Sequence, residues 1–500
     1  MRRGFAFRFL EIVPGAALWA FFITAIILSI FYPFAFALYI LLFDLYWIIK
    51  VFVMGAHMIW GYRLLNWTRR QNWRARLEKL QPAEGIIDWR EIYHVVILTT
   101  YQEPLEILRP SVAAAAQADY PRAKKIFVLA TEERDKEDAR QNAAALRKEF
   151  AHHFEHFLVT EHPDGIEGEL KAKGANATWA ARELKVLLER EKIPLDRTLV
   201  TTADADTRLD RQYFTVLSYV FATDHNRERH SYQPIALYSN NIWDVPAVSR
   251  LSALGASFWQ IIEGTRPWRL ITFSTHAMTM QMLVDIDYWA VDIVNEDSRQ
   301  FYRAFFHYDG DHSVVPVFIP VYMDAVLAPR YAQTLKNQYL QKRRWAYGIE
   351  HFPYVVLESI RNKRIPLMNR ITIPFRIFEG NFSWASSSVI LLFLGWFPFL
   401  FGGAYRETVL ASNIPLLSQR LLAFTWISLT VTIVISSRLI PERPLHHRKS
   451  KWIEMILQWT LTPVTAVIFG SIPAIDAQTR LMFGRYMGFW VTPKVSAKSK

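Results

Sequence analysis

Residues 201–210 read TTADADTRLD and follow a short apolar, β-like run at 198–200. Two carboxylates, Asp204 and Asp206, stand one residue apart. If 198–203 is a strand, they sit at its carboxyl end, the edge of an open α/β sheet where ligands bind. Two hard oxygen donors there suit Mg²⁺ or Mn²⁺ carrying a diphosphate. Such a triplet also occurs by chance, and the plain alternative is a polar strand-to-helix turn.

The flanking sequence favours the sheet edge. Upstream, β-like runs at 93–99, 125–130 and 157–160 alternate with helical patterns at 104–118, 132–149 and 174–191. Short connections between alternating β and α elements predict a parallel, doubly wound α/β sheet. Right-handed crossovers bring the strand ends to one edge. Downstream, from 213 to 322, this rhythm weakens, although 235–239 reads as another strand. The stretch 292–297, DIVNED, reads as the end of an apolar helix or strand carrying paired acids, Glu296 and Asp297. Residues 330–352 predict a long helix containing Gln338, Gln341, Arg343, Arg344 and Trp345.

Both ends of the chain are apolar. The 500 residues are 51% hydrophobic and carry a net charge of +12. A mean hydropathy of +0.06 averages apolar ends with a polar middle. There is no cysteine, which excludes disulfides, zinc–thiolate sites and thiol catalysis. The runs 12–32 and 34–60 are each long enough to cross a membrane, about 20 residues being required. Together they read as retained anchors rather than a cleaved leader. Asp44 and Lys50 within the second run are expected near an interface. The basic stretch 62–80, with Trp67 and Trp73, predicts an amphipathic helix on an anionic leaflet and marks the cytoplasmic side. Its place directly after a span argues against a nucleic-acid arm. Residues 82–88 read as a linker.

In the last third, 366–381 reads as interfacial, 384–405 and 421–439 as spans, and 406–420 as an outer polar loop. Residues 441–451, PERPLHHRKSK, form a basic inner loop. The run 452–473 contains Pro463 and either crosses or re-enters; the positive-inside rule favours re-entry with a basic tail inside. The expected organisation is two transmembrane helices over 1–61, a basic interfacial helix and linker over 62–88 and a cytoplasmic α/β domain over 89–330. Interfacial helices over 331–382, transmembrane helices over 383–475 and an amphipathic basic tail over 476–500 complete it. Such a chain is integral to the plasma (inner) membrane. His152, His153, His156 and His162 read as a solvated helix end, because nothing supplies a metal's second shell.

Four features fall in order along the central region: TTYQEP at 99–104, KGANATWA at 173–180, Asp204-Ala-Asp206, and Glu296 with Asp297 followed by QKRRW at 341–345. With this DxD motif and QxxRW motif, the chain resembles the membrane-embedded family 2 glycosyltransferases, the group of cellulose, hyaluronan and chitin synthases, over about residues 93–348. The resemblance implies a GT-A type doubly wound domain flanked by transmembrane helices. It implies metal-dependent, inverting transfer from a nucleotide-sugar, with a UDP-sugar the expected donor, to a growing polysaccharide, with or without coupled export. A single addition to a lipid or lipid-linked acceptor is the second reading; a transporter or scaffold with a degenerate domain is the non-enzyme one. So few spans call for a second copy or an export partner to complete a product path.

By the same resemblance Asp206 is a metal ligand and Asp204 a metal-side or nucleotide-side acid, for Mg²⁺ or Mn²⁺. Asp297 is the general base and Glu296 orients it. Gln341, Arg344 and Trp345 hold the diphosphate and roof the acceptor end. Tyr101 and Glu103 recognise the base, and Lys173 and Asn176 face phosphate and ribose. The chemistry of the residue types agrees: a cation for the leaving diphosphate, a base for the acceptor hydroxyl, an arginine for paired oxygens and an aromatic face for a sugar. Two departures stand out. Residues 130–133 read ATEE where the family has paired aspartates, so Glu132 or Glu133 substitutes. Residues 273–276 read FSTH in place of a glycine-rich donor loop, and His276 either contacts donor or is structural.

Overall fold

The computed structural model describes residues 4–488 and 490. Eight strands form one sheet: β1 (Tyr93–Thr99), β2 (Lys125–Glu132), β3 (His156–His162), β4 (Thr198–Asp204), β5 (Arg208–Leu209), β6 (His230–Tyr238), β7 (His276–Thr279) and β8 (Ser313–Met323). Their order is β3-β2-β1-β4-β7-β6-β8-β5. The first four strands are parallel. β2 is buried along its whole length, as a strand covered by helices on both faces must be. The helices Leu105–Gln117 and Lys136–Phe150 contribute Leu108, Val112 and Leu146 to the core on one face. Lys173–Arg190 contributes Ala177, Ala180 and Leu184 to the other.

The second half departs from the all-parallel expectation. β7 runs antiparallel to β4 and β6, and β5 antiparallel to β8. The cause is the route of the chain. After β6 it passes through the helix Ala247–Gly264 and a loop, and enters β7 from the edge where β4 ends. This reversal brings residues 272–275 alongside the DxD turn.

Phe5–Phe31 and Pro33–Arg70 are helices hinged at Tyr32, with Pro33 in the first turn, where its missing N–H costs nothing. The second does not stop near residue 60. It continues for 38 residues, about 57 Å, so the separate interfacial helix expected from 62 is mostly an extension of it. Met58 and Leu65 pack in one cluster with Leu254 and Ile261 of the α/β body. A Cβ on Gly61 would come within 2.6 Å of Ile261, so glycine permits that contact. Only Trp73–Glu78 forms a separate short helix, capped by Asn72, and Trp73 is buried against Tyr219 rather than facing lipid.

The C-terminal third is also regrouped. The expected interfacial segment and the start of the next span are one helix, Leu367–Leu392, bent by 46° against Leu394–Phe401. The polar loop expected over 406–420 is largely the helix Val409–Ala423, started by Thr408, whose hydroxyl accepts the Ala411 N–H. It runs into an apolar helical segment, Ala411–Leu439. Lys451–Met482 is long and apolar enough to span. Both of its ends nevertheless meet the α/β side: Arg250 donates to Gln458, and Tyr339 and Arg343 donate to Asp476. By length and composition, four helices among the described residues, or five counting the bent pair, are able to cross a membrane. Most of the expected basic tail, Phe489 and residues 491–500, lies outside the described residues.

Candidate active site

The carboxyl ends of β1, β4 and β8, the loop before β7 and two helix segments line an open cleft. β4 delivers Asp204 as its last residue, and the chain then turns: the Asp204 N–H donates to Thr207 Oγ1 and the Thr207 N–H returns to the Asp204 carbonyl. The strand ends at Asp204 and Asp206 lies in the turn that follows, which separates the two acids. Asp204 Oδ1 accepts from Lys173 Nζ at 2.6 Å, and its Oδ2 accepts from Ser274 Oγ at 2.9 Å. Asp206, only 4% exposed, accepts the Asp324 N–H at 3.0 Å, while Asn240 holds its carbonyl at 3.1 Å.

Glu296 and Asp297 do not end an element; they open the helix Glu296–His307. A helix start places backbone N–H groups beside an acid and favours its charged form. Asp297 Oδ1 accepts from Ser298 N and Oδ2 from Ser274 N, both at 2.7 Å. Glu296, 5% exposed, packs against Gly174, where a Cβ would sit 2.9 Å from Glu296 Cβ. Burial, reinforced by the neighbouring Asp297 charge, pushes the Glu296 carboxyl up to about 8 despite Lys173. Burial works against the Lys173 ammonium, but Asp204 and then Glu296 outweigh it and raise its pKa.

The far wall is the helix Tyr331–Ala346, which sets Gln341, Arg344 and Trp345 on the cleft. Trp345 lies 5.8 Å from the Tyr238 ring, at an angle of 48°. Glu350 fixes this wall to the acid pair: it accepts the N–H groups of Val294 and Asn295, and the Asn295 side chain donates to the Arg344 carbonyl.

Of the residues given a site role from sequence, all but Glu133 and His276 line this cleft. Glu133 does not; it is exposed and accepts the Asp164 N–H, so of the two glutamates in ATEE only Glu132 lines the site. Glu132 is paired with Arg134, whose guanidinium lies 3.8 Å over the Tyr101 ring. Glu103 turns back on its own loop, accepting from Thr100 Oγ1 and Tyr101 N. Asn176 donates to the Ala130 carbonyl and ties its helix to β2. His276 is 1% exposed, opens β7 and does not line the cleft; burial pushes its pKa down to about 4.

Three cleft residues escape sequence reasoning. Asp324 follows β8 and has no motif of its own. Tyr238 ends β6. Ser274 adopts φ +43°, in the left-handed region that costs a non-glycine residue energy, and binds Asp204 and Asp297 at once. Its loop is held by Gln233, which donates to the carbonyls of Phe273 and Thr275. The oddity of FSTH where a glycine-rich loop was expected is the one signal that points to it.

Asp206 and Asp324 present hard oxygen donors on one wall of the cleft, a donor set that fits a small divalent cation. No family profile matches the sequence, and no curated protein does. Among solved structures, the mannosyltransferase PcManGT from Pyrobaculum calidifontis, in complex with GDP-Man and Mn²⁺, matches at 15% identity. The match covers 87% of this chain and all of that one, with a TM-score of 0.41. S. aureus TarS 1-349 in complex with UDP matches at 12% identity, covering 79% of this chain and 93% of that one, with a TM-score of 0.36.

Proposed function

We propose that the chain is a membrane glycosyltransferase of the family 2 type, transferring a sugar from a nucleotide-sugar to an acceptor hydroxyl with inversion. The observation that carries this reading is Ser274. One residue joins Asp204 of the DxD turn to Asp297 at a helix start, opposite Arg344 and Trp345. Acid for the diphosphate side and acid for the acceptor side are thereby locked in one frame.

In this mechanism Asp297 takes the proton of the acceptor hydroxyl. The acceptor oxygen bonds to the anomeric carbon as its bond to the diphosphate oxygen breaks, and the nucleoside diphosphate leaves. Lys173 and Arg344 bear positive charge toward that leaving group. Asp206, with Asp324 beside it, would hold Mg²⁺ or Mn²⁺, which when bound neutralises diphosphate charge. Asp204 is already compensated by Lys173 and serves chiefly to position it. Glu296 stays protonated near neutral pH. Tyr101 stacked under Arg134 offers a ring face for the nucleobase.

A cytoplasmic active site is supported by the basic inner loop, where His447 pairs with Asp244 of the α/β body. A growing polysaccharide is the first acceptor reading. A lipid-linked acceptor is the second, favoured by the small number of apolar helices available to enclose a polymer. Purified protein given a panel of nucleotide-sugars with Mn²⁺ should release nucleoside diphosphate for at least one donor. Sizing the product then separates polymer from single addition. No release for any donor would leave the scaffold reading.

A further inference from the structure

Asp244, His446 and His447 form a second polar cluster, away from the cleft. The histidines lie in the basic loop between the helical segments Ala411–Leu439 and Lys451–Met482; Asp244 lies just after β6. His447 Nε2 is 2.8 Å and His446 Nε2 3.6 Å from Asp244 Oδ1. The three ligand atoms lie within 4.8 Å of one another, and among the described residues no other group of three histidine or acidic side chains converges so closely. Two imidazoles and one carboxylate are a donor set for a tetrahedral late first-row cation.

The surroundings hold the ligands in place. Trp243 donates to the Pro441 carbonyl at 2.9 Å and meets the Trp452 ring edge-on at 5.1 Å, so the loop is anchored beside Asp244 at both its ends. Successive histidines converge because residues 445–447 form a turn, not a helix. The His446 side chain is 68% exposed, which leaves a path for water to a fourth position. The loop is basic, and Arg443 is bound to the carbonyls of Pro444 and His447.

We propose that Asp244, His446 and His447 bind a divalent cation of the Zn²⁺ class in a structural site that clamps the membrane loop to the α/β body. Four residues before Asp244, Asn240 holds the Asp206 carbonyl, and Asn241 lines the cleft. The clamp thus stiffens the wall that carries the acidic cleft residues.

The test uses the full chain in detergent, stripped with chelator and then given Zn²⁺ with Mg²⁺ in large excess to occupy hard oxygen sites. After desalting, bound zinc is measured by elemental analysis and its ligands by X-ray absorption. About one equivalent bound through imidazole nitrogen is expected. Zinc affinity should fall about tenfold or more in His446→Ala, whose exposed side chain is not needed for folding, and in His447→Gln. It should be unchanged in Asp206→Asn. Failure to retain zinc, or retention that survives both histidine substitutions, overturns the proposal. Neither result bears on the sugar-transfer reading.

Discussion

Two acid pairs face the same cleft, Asp204 with Asp206 and Glu296 with Asp297, and Lys173 stands between them. In the first pair Asp204 ends the strand and Asp206 lies in the turn after it; one meets Lys173 and Ser274 and the other the end of β8. In the second they are neighbours at a helix start: Glu296 is buried against Gly174, and Asp297 is held by two backbone N–H groups. The fold thus treats four similar carboxylates in different ways. A single lysine compensates Asp204 and lies close to Glu296, while burial keeps Glu296 protonated. Asp206 and Asp297 remain on the cleft wall, one beside the end of β8 and the other beside Ser274. Like charges packed this closely survive only when some are neutralised.

Substitutions can break this division of labour. The largest effect is expected for Asp297→Asn, which should lower turnover by about 10³-fold, within the range for a lost general base. Calorimetry should find donor affinity within about twofold of wild type, because a base contributes to the transition state. Loss of donor affinity in proportion to turnover would place Asp297 on the nucleotide side instead. Lys173→Met leaves Asp204 and Glu296 without their buried cation and should destabilise the protein by about 3 kcal/mol, read as a lowered unfolding midpoint. Asp206→Asn should weaken Mn²⁺-dependent nucleotide binding by about tenfold, measured by metal titration, while leaving metal-independent binding unchanged.

Glu296→Gln sharpens the comparison through pH. The Glu296 carboxyl ordinarily titrates at 4.5 and is raised to about 8 in the fold. The unfolded chain therefore releases this proton first, and wild type loses stability as pH rises from 4.5 through about 8. Glutamine does not titrate, so the melting temperature of Glu296→Gln should gain on wild type across that window and hold a constant lead above it. A flat difference would mean that Glu296 is ionised in the fold. The smallest effect is expected for Ser274→Ala: about fivefold in turnover, the value of one hydrogen bond of about 1 kcal/mol, since its backbone N–H to Asp297 remains.

The parallel half of the sheet was legible because its strands are apolar runs bounded by polar helices, each signal local. The cleft was legible through the acids, Lys173 and the residues of QKRRW. What was not legible depends on where the chain goes next. β7 is four residues long and antiparallel, so no alternating pattern announces it, and Ser274 gains its place only from that reversal. Asp324 is an isolated aspartate in sequence. Glu132 and Glu133 are chemically identical, and only the strand's end decides that one points into the cleft and the other to solvent. The membrane helices were legible as apolar runs. Their ends were not, because the helix Pro33–Arg70 and the helix Leu367–Leu392 continue past the apolar stretch wherever the α/β body supplies a surface to pack on.

Composition and local pattern by themselves determined that this chain joins apolar helices to an α/β domain with acids at a strand end, because hydrophobic period and residue chemistry are properties of short windows. Tertiary structure alone decided which acid is compensated and which is presented, because the field at Asp204, Asp206, Glu296 and Asp297 is set by Lys173, Ser274 and Asp324. Those three reach the cleft from separate parts of the fold, and burial there makes each partner count.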